Sequence, residues 1–260
     1  MDLKGLTQRL DLPQEVISRL QPVKEAAPFL RGLCSAGYEE AASGLHAALG
    51  PDEGGYKILS AMLQAALFTH EEYARLGIPE EVFFATMGCF PRFVREHKES
   101  FGVYGFDRWW WTGRQLSLSL FRIGALEYEL CRDEEKPLIS VHIPSDADLS
   151  DGAVDSSLLG ARAFLKKYFP AYAAAQFSCH SWLLSPVLGE LLPENSRINR
   201  FRERFTLISF DEEADDYKLW VFKNKNLSFG ELPEHTTLQR AMKAHLARGG
   251  KIGAAYGVIR

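Results

Sequence analysis

The side chains best suited to proton transfer in this chain are one histidine and two glutamates near its middle. Glu127 and Glu129 stand two residues apart in an alternating segment, so a strand would place both carboxylates on one face. His142 lies near the end of PLISVHIP, an apolar segment typical of a buried strand. Because histidine titrates near neutrality, His142 is the first candidate for a general base. Two plainer interpretations stay open: the glutamates form the wet face of an edge strand, and His142 ties its strand to a neighbouring carbonyl.

A second histidine follows a cysteine in the segment FSCHSWLL. Adjacent residues on a strand point to opposite faces, so Cys179 and His180 cannot act together as a nucleophile and its base. Cys179 has the same parity as Phe177, which predicts a buried and unreactive thiol. His180 shares the other face with Ser178 and is the second candidate base.

An acidic loop follows the strand that carries His142. The segment SDADLSDGAVDSS has no lysine or arginine, and its four aspartates are Asp146, Asp148, Asp151 and Asp155. At roughly 6 Å, each carboxylate would repel a unit phosphate charge by about 0.7–3 kcal/mol. A helix N-terminus attracts an anion by less than about 2 kcal/mol, so this loop does not form a standard phosphate site.

A basic ridge is predicted in SRINRFRERF, where a helix would align Arg197, Arg200 and Arg204. Guanidinium groups suit phosphate recognition because their donors form a rigid fork. The plainer interpretation is a solvated face whose charge is offset by Glu190, Glu194 and Glu203.

Three consecutive tryptophans stand in GFDRWWWTGR, from Trp109 to Trp111. Burial of each indole is worth about 2–3 kcal/mol, and three neighbours cannot share one face of a helix or a strand. The run is therefore covered from more than one side or lines a groove. A seam between domains and a ligand groove are the two interpretations.

Composition excludes several classes of protein. The chain has 260 residues, a hydrophobic share of 46% and a formal net charge of -4, ordinary values for a globular protein. The mildly acidic balance predicts no nucleic-acid partner, and no apolar run is long enough to cross a membrane. The first residues lack the apolar core of a signal peptide, and the four cysteines are widely spaced without a CxxC pair. We expect a cytoplasmic protein with reduced thiols and no metal site.

The elements that must position these groups change in type along the chain. Helical periodicity dominates up to about Gly105, with one stripe formed by Leu59, Met62, Leu63, Ala66 and Tyr73. A period of two follows the tryptophans, and QLSLSLF and YKLWVF both predict strands. The segment DSSLLGARAFLKKYFP predicts a helix capped at Asp155 or Ser156. The pattern predicts an α+β fold, with a helical bundle at residues 1–112 followed by a mixed β-sheet flanked by helices at 113–260.

Residues 113–260 resemble the GNAT-like C-terminal domain of bacterial acyltransferase-domain proteins. The segments that carry the likeness are RQLSLSLFRIGALEYEL, VHIPSDADL, DSSLLGARAFL, FSCHSWLLSP and LLPENSRINRFRERF. In that family the domain follows a helical N-acyltransferase N-terminal domain, which residues 1–112 resemble more weakly. The two likenesses cover nearly the whole chain, and they imply a GNAT-like sheet and acyl transfer from acyl-CoA.

The resemblance also implies where acyl-CoA would bind. In the superfamily the fourth strand splays from the fifth, and its freed backbone groups bind the pantetheine arm like an added strand. VHIP matches the fourth strand and FSCHSWL the fifth, so the implied contacts are Val141, His142 and Ile143. The next helix start holds the pyrophosphate on its amides, which implies contacts at Ser156 and Ser157.

The acidic loop departs from the superfamily's phosphate motif, Q/R-x-x-G-x-G/A. If coenzyme A binds, Arg197 and Arg200 are the candidates that balance its phosphate charge. The superfamily often supplies a tyrosine acid from the helix after the fifth strand, but SPVLGELLPEN contains no tyrosine. Tyr168 and Tyr172 are the possible substitutes.

Amine acylation needs a base for the attacking ammonium and a donor for the thioester carbonyl. The implied catalytic groups are His142, His180, Glu127 and Glu129, with the carboxylates binding the amine or relaying its proton. Trp109 and Trp111 would shape the acceptor side.

The resulting prediction is an N-acyltransferase that moves an acyl group from acyl-CoA to a small-molecule amine. One alternative is a GNAT-fold ligand-binding protein that has lost coenzyme A, and another is an interaction module whose partner surface is the tryptophan-rich seam. Nucleic-acid and membrane partners are not expected. The acyl chain, the acceptor and the oligomeric state stay open.

Overall fold

The computed structural model describes residues 1–259 of the chain. It divides into two compact units, Met1–Ile123 and Gly124–Arg260. The first unit is helical and ends in a short strand, and the second contains five strands with flanking helices. The predicted α+β class, a helical bundle followed by a mixed sheet, is therefore confirmed. The predicted division after residue 112 falls within the helix Trp109–Leu116, upstream of the point where the units divide.

Eight α-helices and one strand form the first unit, with short 3-10 segments at Lys24–Ala26 and Glu53–Gly55. Their bounds are α1 (Leu3–Arg9), α2 (Gln14–Ile17), α3 (Leu30–Leu33), α4 (Tyr38–Leu49), α5 (Tyr56–Leu76), α6 (Glu80–Met87), α7 (Cys89–Phe101), α8 (Trp109–Leu116) and β1 (Leu120–Ile123).

The core of this unit is organised around α5, which has 21 residues. The predicted apolar stripe on this helix is buried, at Leu59, Met62, Leu63, Ala66 and Tyr73. Each large side chain removed from water contributes about 1.5–3 kcal/mol, so this face anchors the helix in the bundle. The helix ends at Gly77, whose φ of 68° is a left-handed value that glycine adopts without strain.

The three tryptophans begin α8, where successive residues are rotated by about 100° and so face three directions. Trp109 stacks on His46 of α4 with ring centroids 4.4 Å apart. Trp110 is 43% exposed, and the Arg114 guanidinium carbon lies 4.5 Å from the Trp111 ring centroid. Helical geometry therefore gives each indole a different environment within the unit.

The strand predicted for QLSLSLF is wrong over its first half. The helix α8 continues through Leu116, whose carbonyl oxygen accepts a 2.8 Å hydrogen bond from the buried Thr69 hydroxyl. Leu118 then has a φ of 57°, and β1 begins only at Leu120. Alternation over so few residues suits either period, and the contact with α5 decides in favour of the helix.

The second unit has five strands and five α-helices, with short 3-10 segments at Pro170–Tyr172, Trp182–Leu184 and Phe229–Glu231. Their bounds are β2 (Leu126–Asp133), β3 (Lys136–His142), α9 (Asp151–Tyr168), β4 (Gln176–Ser181), α10 (Leu188–Leu191), α11 (Arg197–Arg202), β5 (Phe205–Asp211), α12 (Tyr217–Trp220), α13 (Thr237–Ala247) and β6 (Ala254–Ile259).

The strands of this unit follow the order β2-β3-β4-β6-β5, with β5 at the edge. The hairpin of β2 and β3 turns through Glu134 and Glu135, which both have positive φ. The pair β3 and β4 is parallel and is connected through α9, while β6 pairs antiparallel with β4 and with β5. The parallel pair places the carboxyl ends of β3 and β4 at the same end of the sheet.

The helix α9 packs on one face of this sheet. The buried Ser157 hydroxyl accepts a hydrogen bond from the Leu126 amide over 3.2 Å and lies 2.8 Å from the Tyr128 hydroxyl. The Arg162 guanidinium carbon stands 3.6 Å from the Phe177 ring centroid. Tyr128 and Phe177 therefore belong to the covered face, and residues of opposite parity face away from α9.

The strand predicted for YKLWVF is also wrong, because this segment contains α12. Tyr217, Val221 and Phe222 are buried in one apolar cluster with residues of α10, α13 and the approach to β6. The short apolar run is compatible with a strand, but the spacing of four residues between Tyr217 and Val221 is equally compatible with a helix. Packing in the cluster selects the helix.

Candidate active site

Strands β3 and β4 part at the carboxyl end of β3. Their parallel ladder begins at Leu138 and ends where Ser140 pairs with Ser178. Beyond this point β3 continues to His142 beside β2, and β4 continues to Ser181 beside β6. The expected separation of VHIP from FSCHSWL is therefore confirmed. Such a gap lets an extended ligand lie between the strands and bond to their main chains as an added strand would.

His142 meets both predicted glutamates at the end of β3. The antiparallel register sets Glu127 directly opposite His142, and Glu129 lies two residues further along β2. The His142 Nε2 atom lies 2.7 Å from the Glu129 carboxylate oxygen. Because an ionised carboxylate only accepts hydrogen bonds, this contact favours the tautomer of His142 that carries its proton on Nε2.

Burial excludes one of the plainer interpretations of these residues. Glu127 is 2% exposed, and the side chains of His142 and Glu129 are 21% and 16% exposed. The two glutamates are thus not the wet face of an edge strand. His142 contacts a carboxylate, so the interpretation that it only ties its strand to a neighbouring carbonyl does not describe this contact.

His180 lies on the same face as His142, on the other side of the gap. The pairing of Ser140 with Ser178 puts residues 142 and 180 at equivalent parity beyond the end of the ladder. His180 is exposed and stands directly opposite Tyr256 of β6. Cys179 points the other way and is fully buried, and burial raises the pKa of its thiol to about 12. The prediction of an unreactive core cysteine is confirmed.

Tyr256 is the residue of this face that the sequence alone did not indicate. The pattern of IGAAYGVI predicts a strand and so the face on which Tyr256 lies, but it does not indicate which residue lies beside it. Only the register of β4 with β6 places its hydroxyl-bearing side chain beside His180. Tyr168 and Tyr172, the predicted substitutes for a tyrosine acid, stand at the end of α9 that leads into β4. An 18-residue helix spans about 27 Å, so they belong to the opposite end of the sheet from the gap.

The helix α9 begins at Asp151, and the prediction of a start at Asp155 or Ser156 is wrong by about one turn. The amides without helical partners therefore belong to the first turn, at residues 151–153. Ser156 and Ser157 lie inside the helix, where their amides take part in its hydrogen bonds. The Ser157 hydroxyl is engaged by Leu126 and Tyr128 in the core. The physical basis for phosphate contacts at these two serines is thereby removed.

The acidic loop and the basic ridge meet in what we term the arginine–aspartate cluster, formed by Arg197, Arg200, Arg204, Asp148, Asp151 and Asp155. Arg197 lies 3.3 Å from Asp148, Arg200 lies 3.4 Å from Asp151, and Arg204 lies 3.1 Å from Asp151. Arg204 also pairs with Asp155. The loop aspartates therefore offset the arginines directly, and two of the predicted offsetting residues, Glu194 and Glu203, line a depression together with Arg200. The helix α11 ends at Arg202, so Arg204 lies just beyond the predicted helical ridge.

The loop is ordered by its own hydrogen bonds as well. The amide and hydroxyl of Ser150 both donate to the Asp148 carboxylate over 2.9 Å. These bonds, with the neighbouring Arg197, hold the pKa of Asp148 below its usual value. The carboxylate therefore stays ionised at neutral pH and keeps its attraction for the arginine.

Comparison with family models gives two matches that together span the chain. Residues 1–118 match the N-acyltransferase N-terminal domain, and residues 120–259 match the GNAT-like C-terminal domain. The chain belongs to this acyltransferase family. The fold and the family membership predicted from the segments VHIP, SWLL and SRINRF are confirmed.

Solved structures similar to this family member are acyltransferases. One is an acyltransferase in complex with decanoyl-CoA and teicoplanin, and another is an acyltransferase in complex with CoA and 10C-teicoplanin. Each has 25% sequence identity and a TM-score of 0.76, with 100% of this chain and 99% of that chain covered. No curated protein matches the chain.

Residues 1–259, the part of this family member that the structure describes, were compared with the requirements of metal sites and of membrane-spanning helices. There, no group of three or more histidine, cysteine, aspartate or glutamate side chains could hold a metal ion. None of the helices in the same range has the length and apolar character needed to cross a membrane.

Proposed function

We propose that this chain transfers an acyl group from an acyl-CoA thioester to an amine of a small molecule. The observation that carries the proposal is the parting of β3 from β4 directly beside the His142–Glu129 pair. A gap with open strand edges suits a pantetheine arm, and a histidine at its end suits proton removal from an amine. The similar structures that contain decanoyl-CoA support acyl-CoA as the donor.

The main chain at Val141–Ile143 is proposed to hold the pantetheine arm and to donate an amide to the thioester carbonyl. These residues form the β3 side of the gap, past the last pair with β4. An amide aimed at the carbonyl oxygen stabilises the negative charge that develops during attack. Arg197 and Arg200, next to the loop that leaves β3, are proposed to bind donor phosphates.

The proposed chemistry starts with attack of the neutral amine nitrogen on the thioester carbonyl carbon. His142 takes a proton from that nitrogen, and Glu129 stabilises the resulting imidazolium as a positioning residue. The tetrahedral intermediate then collapses to an amide and expels the thiolate, which takes up one proton. The hydroxyl of Tyr256, which lies opposite His180 on this face of the sheet, is proposed to donate the proton to the thiolate. His180, beside it, is the second candidate base.

The acceptor is proposed to carry its amine on a larger small molecule. A similar acyltransferase is described in complex with decanoyl-CoA and teicoplanin, which supports a glycopeptide-sized acceptor. Trp109 and Trp111 of the first unit stay the proposed acceptor contacts, because aromatic rings offer large apolar faces to such a ligand.

The donor half of the proposal is tested by calorimetric titration of the full chain with decanoyl-CoA. Saturable binding is expected, and no heat at millimolar ligand would favour a GNAT-fold protein that has lost coenzyme A. Transfer is then measured as thiol release with a panel of aminosugars and amine-bearing glycopeptides.

The base is tested by His142→Gln, His180→Gln and His235→Gln in the same thiol-release assay. Loss of the base should lower kcat by about 100-fold or more near neutral pH and flatten the rise of rate with pH. We expect this for His142→Gln, a shifted pH profile for Glu129→Gln, and little change for the control His235→Gln. An unchanged profile in His142→Gln together with a flattened one in His180→Gln would move the base to His180.

A further inference from the structure

The arginine–aspartate cluster has a graded exposure that separates one arginine from the other two. The Arg204 side chain is 22% exposed and contacts two aspartates, Asp151 and Asp155. Arg200 and Arg197 are 43% and 65% exposed, and each pairs with one carboxylate, at 3.4 Å and 3.3 Å respectively. Solvated single pairs of this kind are weak, while the inner pair is held from two sides. Arg204 is therefore the anchor of the cluster, and the outer arginines can change partners.

Arg200, one of the two outer arginines, also has room for a ligand beside it. Arg200 lines an open depression of about 440 Å³ together with Glu194, Asn195 and Glu203. Asp148 stands six residues after His142, so the loop that carries the aspartates starts at the end of the gap between β3 and β4. A ligand that fills the gap and extends along this loop therefore arrives at Arg197 and Arg200.

A carboxylate and a phosphate compete for the same donors on a guanidinium. Both accept two parallel N–H bonds from the planar fork, but a phosphate monoester carries more charge than a carboxylate. The loop aspartates thus occupy the positions that a phosphate would take. The four aspartates of residues 146–155 also repel a phosphorylated ligand, so its contacts with the arginines must outweigh that repulsion.

We propose that binding of acyl-CoA exchanges partners in this cluster. Donor phosphates take Arg197 and Arg200 from Asp148 and Asp151, while Arg204 keeps Asp155 and ties the turn after α11 to α9. The aspartates then act as built-in competitors, which a singly charged anion does not displace and a polyphosphorylated ligand does. This inference rests on the proposed function, because it assigns a selection step to the donor end of the same site.

The test compares two neighbouring aspartates that differ in their arginine partners. Asp151→Asn removes the competitor of Arg200 together with one of the two partners of Arg204. Asp155→Asn removes the same charge from the same helix but takes away only the other partner of Arg204. Calorimetry of the full chain with decanoyl-CoA should show about a tenfold lower Kd for Asp151→Asn and a change within about twofold for Asp155→Asn. Asp133→Asn, on the exposed end of β2, controls for net charge.

Substitution of the outer arginines should change the Kd for decanoyl-CoA in the opposite direction to Asp151→Asn. Arg197→Ala and Arg200→Ala should each raise the Kd for decanoyl-CoA about tenfold, while Arg248→Ala leaves it unchanged. If either alanine variant fails to fold, Arg200→Lys keeps the charge without the fork and should still weaken binding. Titration with 3′-dephospho-CoA locates the phosphate: loss of the arginine effect assigns the 3′-phosphate, and its persistence assigns the pyrophosphate.

An equal decrease of the Kd for decanoyl-CoA in Asp151→Asn and Asp155→Asn would overturn the proposed partner exchange, because it would reflect only the loss of one negative charge. Unchanged or weaker binding by Asp151→Asn, with a lower Tm, would make the cluster a structural clamp. Either result leaves the proposed function standing. Absence of decanoyl-CoA binding to the wild-type chain would instead remove the proposed function and the exchange together.

Discussion

Ser156 and Ser157 are adjacent in the chain but have unlike environments. Ser157 is 1% exposed and its hydroxyl joins α9 to Leu126 and Tyr128 of β2, whereas Ser156 is exposed. Burial raises the pKa of the Tyr128 phenol, so this hydroxyl stays neutral and keeps its place in the network. The sequence pattern predicts both serines at a helix start. Because α9 begins one turn earlier, both lie inside the helix, and Ser157 contacts the core.

Ser157→Ala should destabilise the fold by about 1–3 kcal/mol, because it leaves the Leu126 amide and the Tyr128 hydroxyl without this buried partner. Urea unfolding followed by circular dichroism measures the loss. Ser156→Ala is the matched control and should stay within about 0.5 kcal/mol of wild type. Equal effects of the two substitutions would contradict the core role of Ser157.

The sequence identified the elements most securely where period and length agreed. The stripe on α5 extends over about four turns, and alternation or short apolar runs predict the strands β2, β3 and β4. The errors fell on QLSLSLF and YKLWVF, where six or seven residues fit either period. In both cases a contact with a distant segment selected the helix, which no local pattern records.

Two helical glycines should respond oppositely to alanine. A Cβ at Gly113 of α8 would lie 2.3 Å from the Tyr38 ring, whereas a Cβ at Gly152 of α9 has nothing within 4 Å. Alanine usually favours a helix by up to about 1 kcal/mol over glycine. We expect Gly152→Ala to be neutral or stabilising and Gly113→Ala to cost about 1–3 kcal/mol through overpacking.

Thermal unfolding of the full chain checks this pair of glycine variants. The packing of α8 against α4 would be mistaken if Gly113→Ala raised the Tm as much as Gly152→Ala did.

The chain as a whole is mildly acidic, and the arginines of its predicted basic ridge are paired with carboxylates. The formal net charge is -4, and the ridge that the sequence offered as a basic patch is paired with three aspartates. Nucleic-acid binding depends on release of counterions by unpaired cations that face phosphate groups. Each phosphodiester group of a nucleic acid carries a single charge, so it does not displace the carboxylates that already pair with these arginines.

We therefore expect no saturable binding of duplex DNA or RNA at physiological salt, measured by fluorescence anisotropy. A strongly basic DNA-binding protein serves as the positive control. Micromolar binding that weakened in Arg197→Ala and Arg200→Ala would show that the cluster opens toward polyanions in general.

The sequence by itself determined most of the helices and strands, apart from those at QLSLSLF and YKLWVF. It also determined the buried face of α5 and the shared parity of Glu127 and Glu129, because these features follow from local periodicity. Tertiary structure decided the end of the β3–β4 ladder, the contact of His142 with Glu129 and the pairing of Arg200 with Asp151. Each of these joins residues that are distant in the chain, and strand register and loop closure set them. Local patterns specify which way a side chain points but not which partner it meets there.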